Sequence, residues 1–249
     1  MLLHLQTWPD VERHLTKSDG IIIPIGSTEQ HGPNGLIGTD AICAEALAKA
    51  VGERVEALVA PTISVGMAQH HLGFAGSMTL RPSTLIAVIR DYVASLARHG
   101  FRRFYFINGH GGNVSTVQAA FSEIYADSSL VPAGNSPTLK CIMRNWWQAD
   151  GIAALSRELY GGAEGHHATP SEVSLTWHLY PEAARPMKLD PEIAPSGRFT
   201  DAVDYRRNFP DGRIGSNPGL ATVEAGKRIM ELAVAGLAED YRRWLAQNA

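Results

Sequence analysis

Short apolar runs alternate with stretches of helical spacing along most of the chain. Ile21 to Ile25, Ala57 to Ala60, Phe104 to Ile107 and Leu139 to Met143 are brief runs rich in β-branched or aromatic residues, which predicts buried strands. Between them, Ala41 to Val51, Ser83 to Arg98 and Val114 to Ala126 carry apolar residues three and four positions apart, which predicts amphipathic helices. Alternation of this kind implies βαβ units and a parallel sheet covered on both faces, hence an α/β fold. A last helix over about 222–246 places Ile229, Leu232, Ala233, Leu237 and Tyr241 on one stripe and is expected to close the fold. The stretch from Tyr180 to Leu220, rich in Pro, Gly, Asp and Arg, has little periodicity and reads as a long loop of the functional or assembly kind. With no repeat and no low-complexity linker, one domain over 1–249 is the simplest organisation.

Composition narrows the function classes. The chain has 249 residues with a formal net charge of −3, which lacks the basic excess that binding to nucleic acid or an anionic membrane needs. Its charged fraction of 19% is below the roughly 25% usual in soluble domains, so part of the surface is expected to be covered in a homo-oligomer. The apolar runs are far shorter than the roughly 20 residues of a membrane-spanning helix. The first fifteen residues lack a basic start and an apolar stretch, so no signal peptide is expected and the location is expected to be cytoplasmic. Cys43 and Cys141 are too few for a disulfide framework. Against that scarcity stand 10 histidines, and His, Asp and Glu without Cys are the ligand vocabulary of a catalytic metal site.

Three clusters concentrate that vocabulary. The first strand runs into Gly26-Ser27-Thr28-Glu29-Gln30-His31-Gly32-Pro33, followed by Gly38-Thr39-Asp40 at a helix start. Ligands in open α/β sheets sit at the carboxyl ends of strands, and Glu29 and His31, two apart, point the same way in extended backbone. A purely structural reading makes Ser27 and Thr28 a turn and Asp40 a helix cap. The third strand ends in Asn108-Gly109-His110-Gly111-Gly112-Asn113, whose glycines could admit an anion such as a substrate phosphate at a helix N-terminus. Neither a dinucleotide fingerprint nor a P-loop occurs. The last cluster, Glu164 to Glu172, contains His166, His167 and a Thr169-Pro170-x-Glu172 capping box, which by itself gives Glu172 a structural role. His4, His14 and His99 read as solvated, and His178 as a helix-terminus residue.

Glu29, His31, Asp40, His110, His167 and Glu172 together suit zinc, manganese or iron, and several carboxylates allow two divalent ions with one bridging Asp. Such a pair would activate water and polarise a carbonyl, which is amide-hydrolysis chemistry. A serine nucleophile is a poorer account, because no G-x-S-x-G elbow is present.

On these residues the chain resembles the creatininase family of metal-dependent hydrolases. The matching segments are GSTEQHGP and GTD over 26–40, HLGFAGSMTL over 71–80, NGHGGN over 108–113, HATPSEVS over 167–174 and GSNPGLATVEAGK over 215–227. The resemblance implies a three-layer α/β/α fold with a mainly parallel central sheet, two divalent ions per subunit, a small-molecule substrate and commonly a homohexamer. It implies Glu29, His31, Asp40 and His110 as metal ligands with Asp40 bridging, and Glu172 as the completing acidic ligand. It implies His167 as general acid and base toward the leaving nitrogen.

Three departures point away from creatinine as the substrate. Gly111 and Gly112 stand where creatininase has a tyrosine and a metal-binding glutamate. Ala163, followed by Glu164, stands where it has a substrate-covering tryptophan. Thr169 and Pro170 replace the usual Gly and Glu of the late element. The expected activity is therefore hydrolysis of a C–N bond in a small amide, cyclic amide or formamide of non-peptide type. The alternatives are a deformylase or peptide-trimming member of the family, and a non-catalytic metal-binding scaffold.

Overall fold

The computed structural model describes residues 1–132, 134 and 137–248. Strand β1 (Gly20–Ile25) lies between β2 (Leu58–Val59) and β3 (Arg103–Asn108), with β4 (Lys140–Asn145) outside β3. All three pairings are parallel, and the register sets Ile25 beside Asn108 and Asn108 beside Asn145, so three strands end level. Eight α-helices occur among the described residues: α1 (Trp8–Leu15), α2 (Thr39–Arg54), α3 (Pro82–Arg98), α4 (Val114–Ser129), α5 (Ile152–Tyr160), α6 (Pro170–Leu179), α7 (Ala202–Asn208) and α8 (Val223–Gln247).

The two-residue period of the strands splits the interior into two cores. Ile21, Ile23, Ile25, Phe104 and Phe106 project to one face, where they pack on Leu85, Ile89 and Val93 of α3 and Val117 and Phe121 of α4. Ile22, Tyr105 and Ile107 project to the other, against Leu47 and Val51 of α2 and Ile229, Leu237 and Trp244 of α8. The result is the three-layer α/β/α arrangement around a parallel sheet. None of the described helices is long and apolar enough to cross a membrane.

The structure departs from the sequence reading in three places. The second strand is only Leu58–Val59, because Ala57 donates its N–H to Gly52 at the end of α2 and Pro61 has none to give. The stretch 180–220 contains α7, capped by the Asp201 side chain, which accepts from the amides of Val203 and Asp204. That helix is too short and too polar to show a period. This region is also clamped from within by Arg213, which is fully buried and donates to the carbonyls of Pro191, Glu192 and Ser216 at 2.8–3.1 Å. Thirdly, His14 is half-buried, with Nε2 shielded and lacking a partner, whereas His4 and His99 are exposed as expected.

One close approach ties the fold to the functional residues. Gly109 follows β3 and donates its N–H to Ile25, and a Cβ there would lie 2.1 Å from the backbone oxygen of Asp40. Gly109→Ala is therefore expected to cost at least about 3 kcal/mol, the upper end of ordinary overpacking, because backbone rather than a flexible side chain must give way. Denaturant melts of the two proteins check this. A cost below about 1 kcal/mol would show that the β3 and α2 ends have room to part.

Candidate active site

The level ends of β1 and β3 bring the first two clusters together. Asn108 holds the glycine-rich turn in shape by accepting from the His110 N–H at 3.1 Å and donating to the His110 carbonyl at 2.7 Å. Asn113 ties this turn to the β1 end, its amide donating to the Gly26 carbonyl at 2.9 Å. Asp40 lies in the first turn of α2 without capping it. The α6 start supplies the third cluster, and its capping box forms as read from the sequence: the Thr169 side chain accepts from the Glu172 amide while Glu172 Oε1 accepts from the Thr169 amide.

Five side chains then converge in two overlapping groups. Ligand atoms of Glu29, Asp40 and His110 lie within 4.8 Å of one another, as do those of His31, Asp40 and Glu172, so Asp40 is common to both. A further group of the same size joins Glu29, His31 and His167. His31 Nε2 is 3.0 Å from Asp40 Oδ1 and 3.8 Å from Glu172 Oε1, and His110 Nδ1 is 3.0 Å from Asp40 Oδ2. The opposite ring nitrogens touch backbone carbonyls, His31 Nδ1 the Glu29 carbonyl at 3.1 Å and His110 Nε2 the Met67 carbonyl at 3.0 Å. A carbonyl can only accept, so each ring keeps a proton on that side and aims its other nitrogen at Asp40, the usual support for a metal-ligating histidine, while His110 Nε2 also lies 3.2 Å from Glu29 Oε2.

Two buried oxygens decide what the cluster suits. Glu29 Oε1 and Asp40 Oδ2 are shielded from solvent and have no hydrogen-bond partner, although histidine nitrogens approach each to 3.0 Å. Close approach without hydrogen-bond alignment is what ligands gathered about a common centre show, and buried carboxylate oxygens left unpaired are costly. A donor set of carboxylates and imidazoles without thiolate fits hard or borderline divalent cations.

The electrostatics agree. Burial disfavours protonation of His31, but Asp40, Glu172 and Glu29 outweigh it and raise its pKa to about 10. Burial likewise opposes protonation of His110, and Glu29 with Asp40 raise it to about 9. Asp40, despite its burial, is held well below the usual carboxylate range by the same two rings, while burial, aided by Asp40, pushes Glu172 up to about 7. In the metal-free protein both imidazoles thus carry a proton at pH 7.5, and ligation must expel it. Loading is expected to release about two protons per chain, read by calorimetry in buffers of different ionisation enthalpy. Because both folded-state pKa values lie above the ordinary 6.5, the stability they give the metal-free protein is present below pH 6.5 and lost as pH rises through 9 to 10. Uptake of protons, or release near zero, would contradict this charge assignment.

Beside the cluster lies a cleft of about 550 Å³, lined by Asp40, His110, His167 and Glu172 on one side and by Trp146, Trp147, Arg157 and Glu164 among others. Gly109 and Gly111 of the 108–113 turn line it as well. Glu164 Oε1 accepts from the Ser171 hydroxyl, its Oε2 is buried without a partner, and burial raises its pKa. His167 sits at the boundary, 11% exposed, with Nδ1 3.7 Å from Glu29 Oε1, and burial lowers its pKa well below the ordinary value. The preceding histidine, His166, is exposed on the cleft wall.

Four residues of this region were not singled out as functional from the sequence. His71 is buried with Nε2 3.0 Å from Glu29 Oε1, and its ring stacks on His167 with centroids 4.3 Å apart. Its place in the HLGFAGSMTL segment was the available signal. Gln30, between two ligands, points away from them by the period-two rule and reaches His71. Trp146 and Trp147 follow β4, and only the rule that strand ends form sites would have flagged them.

Comparisons with known proteins show the family. The family model described as "Creatininase: Creatinine amidohydrolase" matches residues 4–241, and the chain belongs to that family. It is 30% identical over 256 residues to creatinine amidohydrolase of Pseudomonas putida, covering 95% of this chain and 94% of that one. It is also 30% identical over 254 residues to the mycofactocin precursor peptide peptidase of Mycobacterium ulcerans (strain Agy99), covering 96% and 86%. A tryptophan-to-phenylalanine variant of creatininase, type II, superposes with a TM-score of 0.86 at 25% identity and 98% coverage of both chains. Solved creatininases of this fold include forms named for Mn and for Zn-Zn.

Proposed function

We propose that this amidohydrolase of the creatininase family hydrolyses a C–N bond in a small amide, cyclic amide or formamide, with His167 as its proton-transfer residue. The observation that carries the reading is the pair of ligand groups sharing Asp40 at the edge of a cleft that also receives His167. Glu29, Asp40 and His110 would hold one divalent ion and His31, Asp40 and Glu172 a second. Bound there, such ions supply Lewis acidity toward a carbonyl and lower the pKa of water.

The chain's own residues account for the rest. Burial keeps His167 neutral, so it can take a proton from the attacking water and hand it to the leaving nitrogen. The balance is simple: the acyl carbon gains the hydroxyl, the nitrogen gains the hydrogen, and His167 returns to its starting state. Ser27 donates to Glu29 Oε2 at 2.7 Å and the Thr169 amide to Glu172 Oε1 at 2.6 Å, which fixes both carboxylates before substrate arrives. Gly111 brings no side chain into the cleft, and a Cβ there would meet nothing within 4 Å, which leaves room for a substrate bulkier than a simple amide.

The likeness to a peptide peptidase favours a second reading, in which the scissile bond belongs to a short peptide. We carry the homohexamer and the cytoplasmic location as part of the same proposal. A panel of formamides, cyclic amides, linear amides and short peptides, offered to protein loaded with zinc or manganese, separates the readings. Turnover of peptides alone would replace the first by the second. No turnover of any class, with fewer than about one transition ion bound per chain, would leave the non-catalytic scaffold.

A further inference from the structure

We propose that Gln30 and His71 form a positioning pair that sets the proton arrangement of His167 and steadies Glu29; this rests on the proton-transfer role given to His167 above. Neither residue lines the cleft, and both are buried. The Gln30 side chain is the centre of the arrangement. Its Oε1 accepts from the Gly32 amide at 2.8 Å, and its Nε2 lies 2.9 Å from the Gly212 carbonyl. An amide N–H can only donate and a carbonyl can only accept, so these two contacts fix which end of the Gln30 amide is oxygen and which is nitrogen.

With one N–H committed to Gly212, the amide nitrogen has a single hydrogen left for two imidazoles, His71 Nδ1 at 2.8 Å and His167 Nε2 at 2.9 Å, both nearer than the Tyr205 hydroxyl at 3.4 Å. The backbone decides between them. His167 Nε2 also lies 2.8 Å from the Gln30 carbonyl. If His167 Nε2 were bare, two acceptors would face each other at that distance. If it carries the proton, it donates to the carbonyl, and the remaining amide hydrogen goes to His71 Nδ1. Only the second arrangement gives both Gln30 amide hydrogens and the His167 N–H an acceptor.

Two consequences follow for the chemistry. His167 is left with a bare Nδ1, the nitrogen 3.7 Å from Glu29 Oε1, ready to receive a proton on the side of the ligand cluster. His71, whose Nδ1 accepts, must carry its proton on Nε2 and so turns the positive end of that N–H toward Glu29 Oε1 at 3.0 Å. That contact is not aligned as a hydrogen bond, so the oxygen is oriented without being taken up. The rings of His71 and His167 stack against each other beside the amide that holds them.

Nitrogen-15 NMR of histidine-labelled protein, as purified and again after chelation, reads this without reference to activity, because bare and protonated ring nitrogens have distinct shifts. The expected result is Nε2–H with bare Nδ1 for both His71 and His167. Gln30→Glu, which keeps the shape but removes the donor, is expected to move the His71 proton onto Nδ1 and to lower kcat by roughly 10- to 100-fold, the range for loss of an outer partner, with KM little changed. His71→Gln, whose amide can still donate to Glu29, is expected to retain more of kcat than His71→Ala. An Nδ1-protonated His71 or His167 in the unmodified protein overturns the proposal even if the variants fail to fold. So does a Gln30→Glu protein with unchanged proton positions. If the proton positions are as expected but kcat is unchanged in Gln30→Glu, the pair does not position the reacting groups and the proposal fails; the earlier reading fails separately, if His167→Ala keeps its rate.

Discussion

Replacing Asp40 by asparagine is expected to abolish tight metal binding at both ligand groups at once, where loss of any other single ligand would spare one. The reason is geometric: Asp40 Oδ1 faces His31 and Asp40 Oδ2 faces His110, so one carboxylate would serve both proposed sites. Asparagine preserves volume but withdraws the charge and turns one acceptor into a donor. Loss of an outer hydrogen-bond partner of a metal site costs about 10- to 100-fold in affinity, and loss of a shared ligand should exceed the upper figure. Stability should fall much less, because the two rings that Asp40 holds protonated can release their protons rather than remain as unpaired buried charges. Metal titration with elemental analysis, alongside a denaturant melt, separates the two quantities. Retention of one tightly bound ion per chain would show that Asp40 serves a single site.

Much of this is legible in the sequence. The βαβ alternation fixed the class because buried parallel strands are short unbroken apolar runs, and because the helices between them carry their own period. Glu29, His31, Asp40, His110, His167 and Glu172 all stand out as candidates in the sequence, and the structure gathers all six, since strand ends that lie level bring separate sequence segments to one place.

What stayed illegible has physical causes. Helix α7 has seven residues, too few to display a period, and is specified instead by its Asp201 cap and by the buried Arg213 behind it. His71 and Gln30 act through other side chains, and a residue's relation to another across more than forty positions leaves no mark on local spacing. Glu172 shows the converse. Its capping-box role was correct and did not exclude a second one, since the same carboxylate that satisfies the Thr169 amide also faces His31.

The sharpest division within the site should appear between two histidines. His110→Ala removes a group whose ring is wedged between Asp40, Glu29 and the Met67 carbonyl, and is expected to lose the ion of the Glu29–Asp40–His110 group along with all activity. His167→Ala is expected to keep metal and lose about 10²- to 10⁴-fold in kcat, the usual contribution of a positioned proton donor and acceptor. The distinction is a real test, because His167 also falls within ligand distance of Glu29 and His31 and so has a competing role available. Two observations favour proton transfer. His167 lines the cleft at 11% exposure, where a leaving nitrogen could reach it, and the carboxylates that raise the pKa of His31 and His110 do not overcome burial at His167. A ring that burial keeps neutral, and that neither group sharing Asp40 needs as a ligand, is the one free to accept a proton during turnover. Added imidazole should restore part of the lost rate in His167→Ala, by entering the space the ring vacates, and should do nothing for His110→Ala. Equal loss of metal in both variants would place His167 among the ligands and leave the leaving nitrogen to be protonated by another residue of the cleft, of which Glu164, its pKa already raised by burial, is the nearest in kind.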